Sequence, residues 1–286
     1  MSSAGRRVGS DTGGTFTDLV ADDGTVVKVP STPHDPGEGV RAGLAELLGE
    51  HAAPDVLAHG TTVATNALLE RRGARVALVT NAGFADIIEI ARQDRPSLYD
   101  PSVVRPVPLV PRELRLEVPG RLTADGSELE PLGPVPEVPD GVEAIAVCLL
   151  HSDLQPAHEM LVGIDLELEG FDVSCSCDVS PEYREYERTV TTVVNAYLRP
   201  VCRSYLRRLA EAAGSVRVMT SAGGLVPASS AAERPASLLL SGPAGGVLAG
   251  AQAAVANGFR DAVTFDMGGT STDVCLVLDG TPAPAA

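Results

Sequence analysis

The sequence has 286 residues, 44% hydrophobic and 21% charged, which is typical of a globular protein long enough to bury a core. Asp and Glu number 38 against 22 Lys and Arg, so the formal net charge of −16 argues against nucleic-acid and membrane-surface partners. Lys28, between Val27 and Val29, is the only lysine, which excludes a Walker-type phosphate loop within this sequence.

The amino terminus and the cysteines indicate the cellular compartment in which the protein works. Residues 1–9 are small and polar and lack the apolar stretch of a secretory signal peptide. The five cysteines are odd in number and scattered, which argues against a disulfide framework. Cys175 and Cys177 alternate along residues 171–179, so we expect two buried or half-buried thiols on one strand face, with a metal or redox pair as the alternative. The sequence therefore predicts a cytoplasmic protein.

One uncharged stretch, residues 236–258, is long enough to cross a bilayer. It consists mostly of alanine and glycine and contains Pro243, so it is too weakly apolar for a stable span. We expect a buried helix of small residues there and no contact with a membrane.

The first third of the chain predicts alternating strands and helices. Short apolar strands over 8–11, 15–21 and 26–29 are separated by glycine turns and form a predicted β-meander. The next elements are predicted in the order helix 37–48, strand 56–60, helix from Thr61 or Thr62 to about 72, strand 75–80 and helix 84–92.

The middle of the chain is rich in proline. Residues 95–139 hold ten of the 22 prolines, so we expect a β-rich insertion there, with a turn at residues 123–126. Later elements are predicted in the order strand 142–150 buried on both faces, helix 156–169, helix 182–213 broken near Pro200, strand 216–220, helix 243–257 beginning at Pro243 and strand 262–266. The charged residues at 182–188, including Arg188, are expected on a solvated helix face. Alternating strands and helices indicate the α/β class.

An octapeptide occurs twice. Residues 11–18 read DTGGTFTD and residues 266–273 read DMGGTSTD, with six of eight positions identical. Each copy follows one short apolar strand and precedes another, so each is predicted to be a β-hairpin with a Gly-Gly-Thr tip. Two such hairpins suggest a duplicated fold with a shared cleft.

The composition of the repeat favours phosphate binding. Adjacent glycines leave backbone N–H groups open to anions, and threonines add hydroxyl donors. The predicted phosphate-binding residues are Gly13, Gly14, Thr15, Thr17, Gly268, Gly269, Thr270 and Thr272. Asp11 and Asp266 are predicted to hold Mg²⁺ directly or through water, so that the two hairpins clamp the phosphates of ATP. The alternative is two ordinary tight hairpins.

These hairpins resemble the phosphate-binding hairpins of the actin-like ATPase superfamily. Residues 241–246, SGPAGG, and the small-residue helix after them resemble that superfamily's connecting helix. Further motifs narrow the resemblance to the hydantoinase A/5-oxoprolinase family: HGTTVATN at 59–66, RQDRPSLY at 92–99, AVCLLH at 146–151, EYERT at 185–189 with NAYL at 195–198, and FDMGGTSTD at 265–273. The resemblance covers about residues 8–277. Ser10 and Ala222 depart from the family pattern.

The resemblance implies an α/β actin-like ATPase (ribonuclease H-like) lobe with a β-rich insertion and a truncated second lobe. It implies domains at 6–181, with the insertion at about 95–140, and at 182–286. Only 20 residues follow Asp266, so we expect a fragment that is inactive alone and whose strands at 263–278 are left exposed.

The activity implied is ATP-dependent hydrolysis of a cyclic amide, in which a ring carbonyl or enol oxygen is phosphorylated before the ring opens. The cofactors implied are ATP and Mg²⁺, and the partner implied is a hydantoinase B-type subunit. Asp11, Asp266 and His59 are assigned catalytic roles, although His59 is also compatible with a hydrogen-bonded turn. The substrate contacts assigned are Thr61, Thr62, Asn66, Arg92 and Arg95, the arginines being equally compatible with a solvated helix end. The alternatives are a ketone carboxylase subunit and a non-catalytic ATP-binding module.

Overall fold

The computed structural model describes residues 6–32, 35–100, 102–267 and 272–283. The chain forms two compact units: the first combines Met1–Leu69 with Cys202–Ala286, and the second is Glu70–Val201. The domain boundaries predicted from sequence, 6–181 and 182–286, stay a prediction. Within the described ranges, no helix has the length and apolar character needed to cross a membrane.

Strands and helices alternate along the chain, so the predicted α/β class is confirmed. In chain order, the strands are β1 (Arg7–Thr12), β2 (Phe16–Ala21), β3 (Val26–Pro30), β4 (Val56–Thr61), β5 (Val76–Asn81), β6 (Arg115–Val118), β7 (Arg121–Leu122), β8 (Glu128–Glu130), β9 (Ala144–Val147), β10 (Asp172–Cys175), β11 (Val216–Met219), β12 (Leu225–Pro227), β13 (Ala262–Met267), β14 (Thr272–Leu278) and β15 (Thr281–Pro282). The α-helices are α1 (Pro36–Leu48), α2 (Val63–Leu69), α3 (Ile87–Ile90), α4 (Ala157–Leu168), α5 (Ser176–Val179), α6 (Glu185–Ala210), α7 (Ala228–Glu233) and α8 (Ser241–Ala256).

A six-stranded mixed sheet frames the first unit, in the order β12-β11-β4-β1-β2-β3. The first three strands form the predicted antiparallel meander, whereas β4 lies parallel to β1 and β11 lies parallel to β4. α1 packs against this meander so closely that a Cβ at Gly43 would clash with a methyl group of the fully buried Leu19. Glycine at this position therefore lets the helix approach the sheet.

α8 lies between the six-stranded sheet and a three-stranded sheet of order β13-β14-β15. A Cβ at Gly250 would lie 2.6 Å from the Thr264 methyl group of β13, and one at Gly245 would lie 3.8 Å from Met219 of β11. The small residues of this helix therefore allow close packing on both sides.

α8 differs from its prediction in two respects. It begins at Ser241, so Pro243 takes the third helical position, where a missing N–H removes no helical hydrogen bond. It is buried only at Ser241 and Ala251, so the expectation of a buried helix is wrong. The outer face of the adjoining sheet is also open and apolar, as expected for the strands at 263–278. Its exposed residues are Val263, Phe265, Met267, Val274, Leu276 and Leu278.

A parallel sheet of order β10-β9-β5-β6 forms the core of the second unit. Every residue of β5 and β9 is buried. Burial on both faces was expected of a strand over residues 142–150, and β9 is shorter than that range. The strand order reverses between β5 and β9, because the chain places β6 on one side of β5 and β9 on the other. The predicted turn at residues 123–126 joins β7 to β8, with Gly126 N donating to Thr123 O at 3.0 Å.

Glu159 of α4 is fully buried and accepts three hydrogen bonds. Oε2 accepts from Leu149 N at 2.8 Å and from Ser176 Oγ at 2.9 Å, and Oε1 accepts from Cys177 N at 2.7 Å. The last two donors lie at the start of α5, where unpaired N–H groups favour a carboxylate. Cys177 is therefore helical, and the prediction of both thiols on one strand face is wrong, although both are half-buried as expected.

α6 is continuous through Pro200, so the predicted break is absent. Leu198 and Cys202, on either side of the proline, are buried, and this packing compensates for the hydrogen bond that proline removes. Arg188 is 1% exposed and donates to Asp153 Oδ1 at 2.7 Å and to Leu149 O at 2.8 Å. The expectation of a solvated Arg188 is therefore wrong.

Candidate functional site

The two copies of the octapeptide form hairpins of the same register. In the first, Asp11 pairs with Asp18 across β1 and β2. In the second, Asp266 pairs with Asp273 across β13 and β14. The predicted strand pairing is thus confirmed for both copies, and each carries its first aspartate at the same strand position. Gly268, Gly269 and Thr270 lie outside the described residues, and Thr272 is exposed at the start of β14.

Asp11 presents a carboxylate without a protein partner. Within the described ranges it forms no hydrogen bond and no ion pair, and it is exposed. Partial loss of hydration raises the pKa of Asp11, and repulsion from Asp18 raises it further. A Cβ at Gly60 of β4 would lie 2.8 Å from Asp11 Oδ1. Glycine at position 60 therefore leaves space beside the Asp11 carboxylate, whose negative charge a nearby cation would stabilise.

The donor set near Asp11 fits Mg²⁺ held mainly by water and phosphate. Among the described residues, no group of three or more His, Cys, Asp or Glu side chains could enclose a metal ion. Mg²⁺ commonly keeps several waters and takes one or two carboxylates together with substrate phosphates, so one open carboxylate per hairpin is compatible with it. The described residues therefore do not form a metal site made of protein ligands alone.

Hydrogen bonds from buried and half-buried hydroxyl groups stabilise the tip of the first hairpin. Thr17 is fully buried, and its Oγ1 lies 3.0 Å from Ser31 Oγ. Ser31 Oγ donates to Gly13 O at 2.8 Å. Thr17 is therefore a supporting residue, because its buried hydroxyl cannot contact a ligand, contrary to its predicted role. Gly14 and Thr15 are exposed at the tip and stay predicted phosphate ligands with Gly13.

His59 of β4 lies opposite Ser10 of β1 in the sheet, and its side chain is fully buried. Its Nδ1 lies 2.8 Å from Ser10 Oγ, and its Nε2 lies 2.7 Å from the Tyr205 hydroxyl. Burial lowers the pKa of His59 to about 4, so the ring is neutral at pH 7. A neutral imidazole has one N–H, so it donates to one hydroxyl and accepts from the other. Because the ring is fully buried and both of its nitrogens have partners, His59 cannot contact a substrate in this arrangement.

Burial also raises the pKa of Tyr205, and hydrogen bonds with Thr61 and Thr12 offset part of that rise. The phenol thus connects His59 to the two threonines at the ends of β4 and β1. Ser10 precedes Asp11, and His59 precedes Gly60. The buried chain Ser10–His59–Tyr205 therefore fixes the two strand ends that surround the open carboxylate.

The start of α2 is tied to the same loop. Thr61 Oγ1 accepts from Val63 N at 3.2 Å, which confirms the predicted cap. Thr62 donates to Thr12 O from both its backbone N and its Oγ1, each at 3.3 Å. Asn66 Nδ2 donates to Thr62 Oγ1 at 3.3 Å. The structure thus brings Thr61, Thr62 and Asn66 together with the Asp11 hairpin.

Arg92 and Arg95 belong to the second unit. Arg92 Nε donates to Glu187 Oε1 at 2.5 Å, so its charge is already compensated. Arg95 is exposed and has no side-chain partner among the described residues. Their assignment as substrate contacts stays a prediction.

The sequence did not identify the residues that support the hairpin. In the sequence, Ser10 stands out only as a departure from an apolar pattern, yet a hydroxyl inside a buried strand is itself a sign of an internal hydrogen bond. Tyr205 is 146 residues from His59 in the sequence, and no local pattern pairs them.

Two family models match the chain. The hydantoinase/oxoprolinase N-terminal region matches residues 7–168, and hydantoinase/oxoprolinase matches residues 188–285. Caprolactamase subunit alpha from Pseudomonas jessenii is 38% identical over 98% of this chain and 44% of its own length. The crystal structure of ATP-dependent caprolactamase from the same organism superposes with a TM-score of 0.81 at 36% identity, over 94% of this chain and 43% of that chain.

Two further similar proteins are named for activities other than that of caprolactamase. 5-oxoprolinase 1 from Arabidopsis thaliana is 36% identical over 92% of this chain and 25% of its own length. The nucleotide-free acetone carboxylase structure, described under ATP-dependent acetone carboxylation, superposes with a TM-score of 0.79 at 29% identity, over 96% of this chain and 44% of that chain. The chain thus spans less than half the length of each of these relatives.

Proposed function

The chain belongs to the hydantoinase/oxoprolinase family, and on that premise we propose that it is the phosphate-binding part of an ATP-dependent enzyme that opens cyclic amides. The observation that carries this proposal is the pair of hairpins in identical register, each with an aspartate at the same position. The caprolactamase and 5-oxoprolinase relatives support the cyclic-amide class.

We assign the sheet β3-β2-β1-β4-β11 to a ribonuclease H-like lobe of the actin-like ATPase type. An antiparallel meander continued by two parallel strands supports this assignment. The position of α8 between the two sheets of the first unit supports its role as the connecting helix.

In the proposed reaction, the chain positions the phosphates of ATP at the two hairpin tips. Backbone N–H groups of Gly13 and Gly14 and the Thr15 hydroxyl donate to phosphate oxygens at the first tip. Gly268, Gly269, Thr270 and Thr272 are proposed to do the same at the second. Asp11 and Asp266 would hold Mg²⁺, which supplies neutralisation of the transferring phosphoryl group.

Ring opening requires activation of the amide carbonyl, which is a poor electrophile until its oxygen is phosphorylated. The γ-phosphoryl group of ATP passes to the amide oxygen of the ring, which leaves ADP. Water then attacks the activated carbon, the ring C–N bond breaks and the nitrogen takes a proton, which leaves an acyl phosphate. A second water hydrolyses this acyl phosphate to a carboxylate and inorganic phosphate. The products are an open-chain amino acid, ADP and phosphate.

A coupled phosphate-release assay tests the proposal. The chain is combined with a hydantoinase B-type subunit, the partner that the sequence resemblance implies; the name of the caprolactamase relative, subunit alpha, supports the presence of a second subunit. Phosphate release that requires both ATP and a lactam supports the proposal. No release with 5-oxoproline, a hydantoin or ε-caprolactam contradicts it.

A second candidate is a ketone carboxylase subunit, which the acetone carboxylase superposition supports. Phosphate release that requires a ketone and bicarbonate, and is absent with lactams, favours this candidate. ATP binding without release under either condition favours a non-catalytic ATP-binding module.

A further inference from the structure

Helix α4 presents an apolar stripe on the surface of the second unit. Its four large side chains are 49–82% exposed: Met160, Leu161, Ile164 and Leu168. At the turn of an α-helix, these positions share an arc of about 100° of the helix surface. Single exposed leucines are normal on a protein surface, whereas a continuous apolar stripe marks an interaction site. We call these four residues the α4 stripe.

The α4 stripe lies on the side of the helix that faces away from the sheet. α4 packs on β9 and β10 and buries Val162, Gly163 and Leu166. These three residues lie about half a turn from the stripe. A surface helix normally places polar residues on its outer face, so packing on the sheet does not account for the stripe. The outer residues therefore indicate a second packing surface.

Carboxylates border the α4 stripe on both sides. Asp165 and Glu167 lie on its opposite edges, Glu169 follows the last turn, and all three are exposed. Within the described ranges, none of these carboxylates forms an ion pair. Residues 122–183 contain 14 Asp and Glu and no Lys or Arg, so the sequence around α4 supplies no compensating cation.

The charge at the borders selects among the surfaces that could cover the stripe. A second copy of the chain would bring the same carboxylates against one another, and an anionic lipid surface would repel them. A basic amphipathic helix fits both features of α4. Its apolar side packs on the stripe, and Lys or Arg beside that apolar side pair with the carboxylates, as flanking charges do in coiled coils.

We propose that the α4 stripe is the docking site for a basic amphipathic helix of a separate polypeptide. Leu161 and Ile164, in the middle of the stripe, contact the apolar side of the docked helix. Asp165 and Glu167 select its charge. The phosphate hairpins belong to the first unit, whereas α4 belongs to the second, so docking and phosphate binding are tested independently.

The test is fluorescence-anisotropy titration of the full chain with two labelled synthetic peptides of about 18 residues. Both carry the same heptad pattern of leucines, and the positions beside the leucines are Lys in one peptide and Glu in the other. We expect saturable binding of the Lys peptide, at least about tenfold tighter than that of the Glu peptide. The affinity for the Lys peptide should fall as salt is raised, because salt screens the exposed charges.

The apolar part of the contact is tested by Leu161→Gln combined with Ile164→Gln. This double variant should lower the affinity for the Lys peptide at least about tenfold, because it removes the middle of the stripe. Leu69→Gln, at the exposed end of α2, is the matched control and should leave the affinity unchanged. All three leucine and isoleucine positions are exposed, so little change in stability is expected.

The charged part is tested by Asp165→Lys combined with Glu167→Lys. This variant should bind the Glu peptide more tightly than the Lys peptide, which reverses the preference of the wild type. Glu46→Lys combined with Glu50→Lys makes the same charge change at exposed positions in the first unit and should retain the wild-type preference. The control thus separates recognition by α4 from attraction by the net charge of −16.

No saturable binding of the Lys peptide, equal affinities of wild type for the two peptides, or unchanged binding by the stripe variant overturns the proposal. If the stripe variant does not fold, the charge-reversal pair decides. Light scattering that shows a wild-type dimer and a monomeric stripe variant assigns the stripe to a second copy and also overturns it. Binding to phosphatidylcholine vesicles without peptide binding assigns the stripe to a membrane, with the same consequence.

Discussion

The Nε2 atom of His59 lies 2.7 Å from the hydroxyl of Tyr205, and both side chains are buried. This contact joins the third residue from the end of β4 to a helix 146 residues away in sequence. It lies one residue from Gly60, whose missing side chain makes space for Asp11. His59 is therefore a positioning residue for the proposed phosphate site.

Removal of the imidazole should destabilise the fold. His59→Leu leaves the buried Ser10 hydroxyl without its partner and removes one hydrogen bond of the Tyr205 hydroxyl, at a cost of about 1–3 kcal/mol in the free energy of unfolding. Urea denaturation measures it. Ser10→Ala in the same chain should recover part of the loss in stability, because it removes the buried hydroxyl that lost its partner. An unchanged urea midpoint for His59→Leu contradicts the buried hydrogen-bonded chain.

The same histidine should make stability depend on pH. The pKa of His59 is about 4 in the folded chain and near 6.5 when unfolded, so the unfolded chain binds more protons between these values. Stability is therefore fully present above about pH 6.5 and falls as the pH drops towards 4, by about 3 kcal/mol from this residue. Urea unfolding of wild type and His59→Gln across pH 4–7 measures the difference. Parallel pH profiles for the two proteins contradict the low pKa.

Gly60→Ala should affect the site more than the fold. The new methyl group meets Asp11 Oδ1 at 2.8 Å and displaces the carboxylate. We expect Mg·ATP affinity to fall about tenfold, with less than about 1 kcal/mol lost in stability. Calorimetric titration and thermal unfolding measure the two effects. Gly246→Ala is the matched control, because a Cβ there meets nothing within 4 Å. Equal ATP affinities in the two variants argue against a role for Asp11.

Glu159→Gln should destabilise the second unit by about 2–4 kcal/mol. The replacement presents an NH₂ group to backbone N–H groups that now donate to a carboxylate. Glu167→Gln, on the exposed side of the same helix, should change stability by less than about 0.5 kcal/mol. Chemical denaturation of both variants tests this, and equal midpoints contradict the buried network.

Local patterns predicted the elements, and long-range packing decided the residues that support the site. The repeated DxGGTxTD octapeptide was enough to predict two hairpins, because turn chemistry and strand alternation are local. The role of His59 was not predictable, because burial by β1, β11 and α6 removes it from solvent and no local signal reports that. Arg188 was misassigned for the same reason: its partner Asp153 is 35 residues away. Thr15 and Thr17 occupy similar positions in the sequence motif, but the fold buries Thr17 as a supporting residue and leaves Thr15 exposed.

The central claim is that the two hairpins bind the phosphates of Mg·ATP through Asp11 and Asp266. The most direct measurement is calorimetric titration of wild type, Asp11→Asn, Asp266→Asn and the turn variant Asp22→Asn with Mg·ATP. We predict saturable binding in wild type and Asp22→Asn, and affinities at least about tenfold lower in the other two. Equal affinities in all four proteins, or no binding in wild type, would contradict the claim.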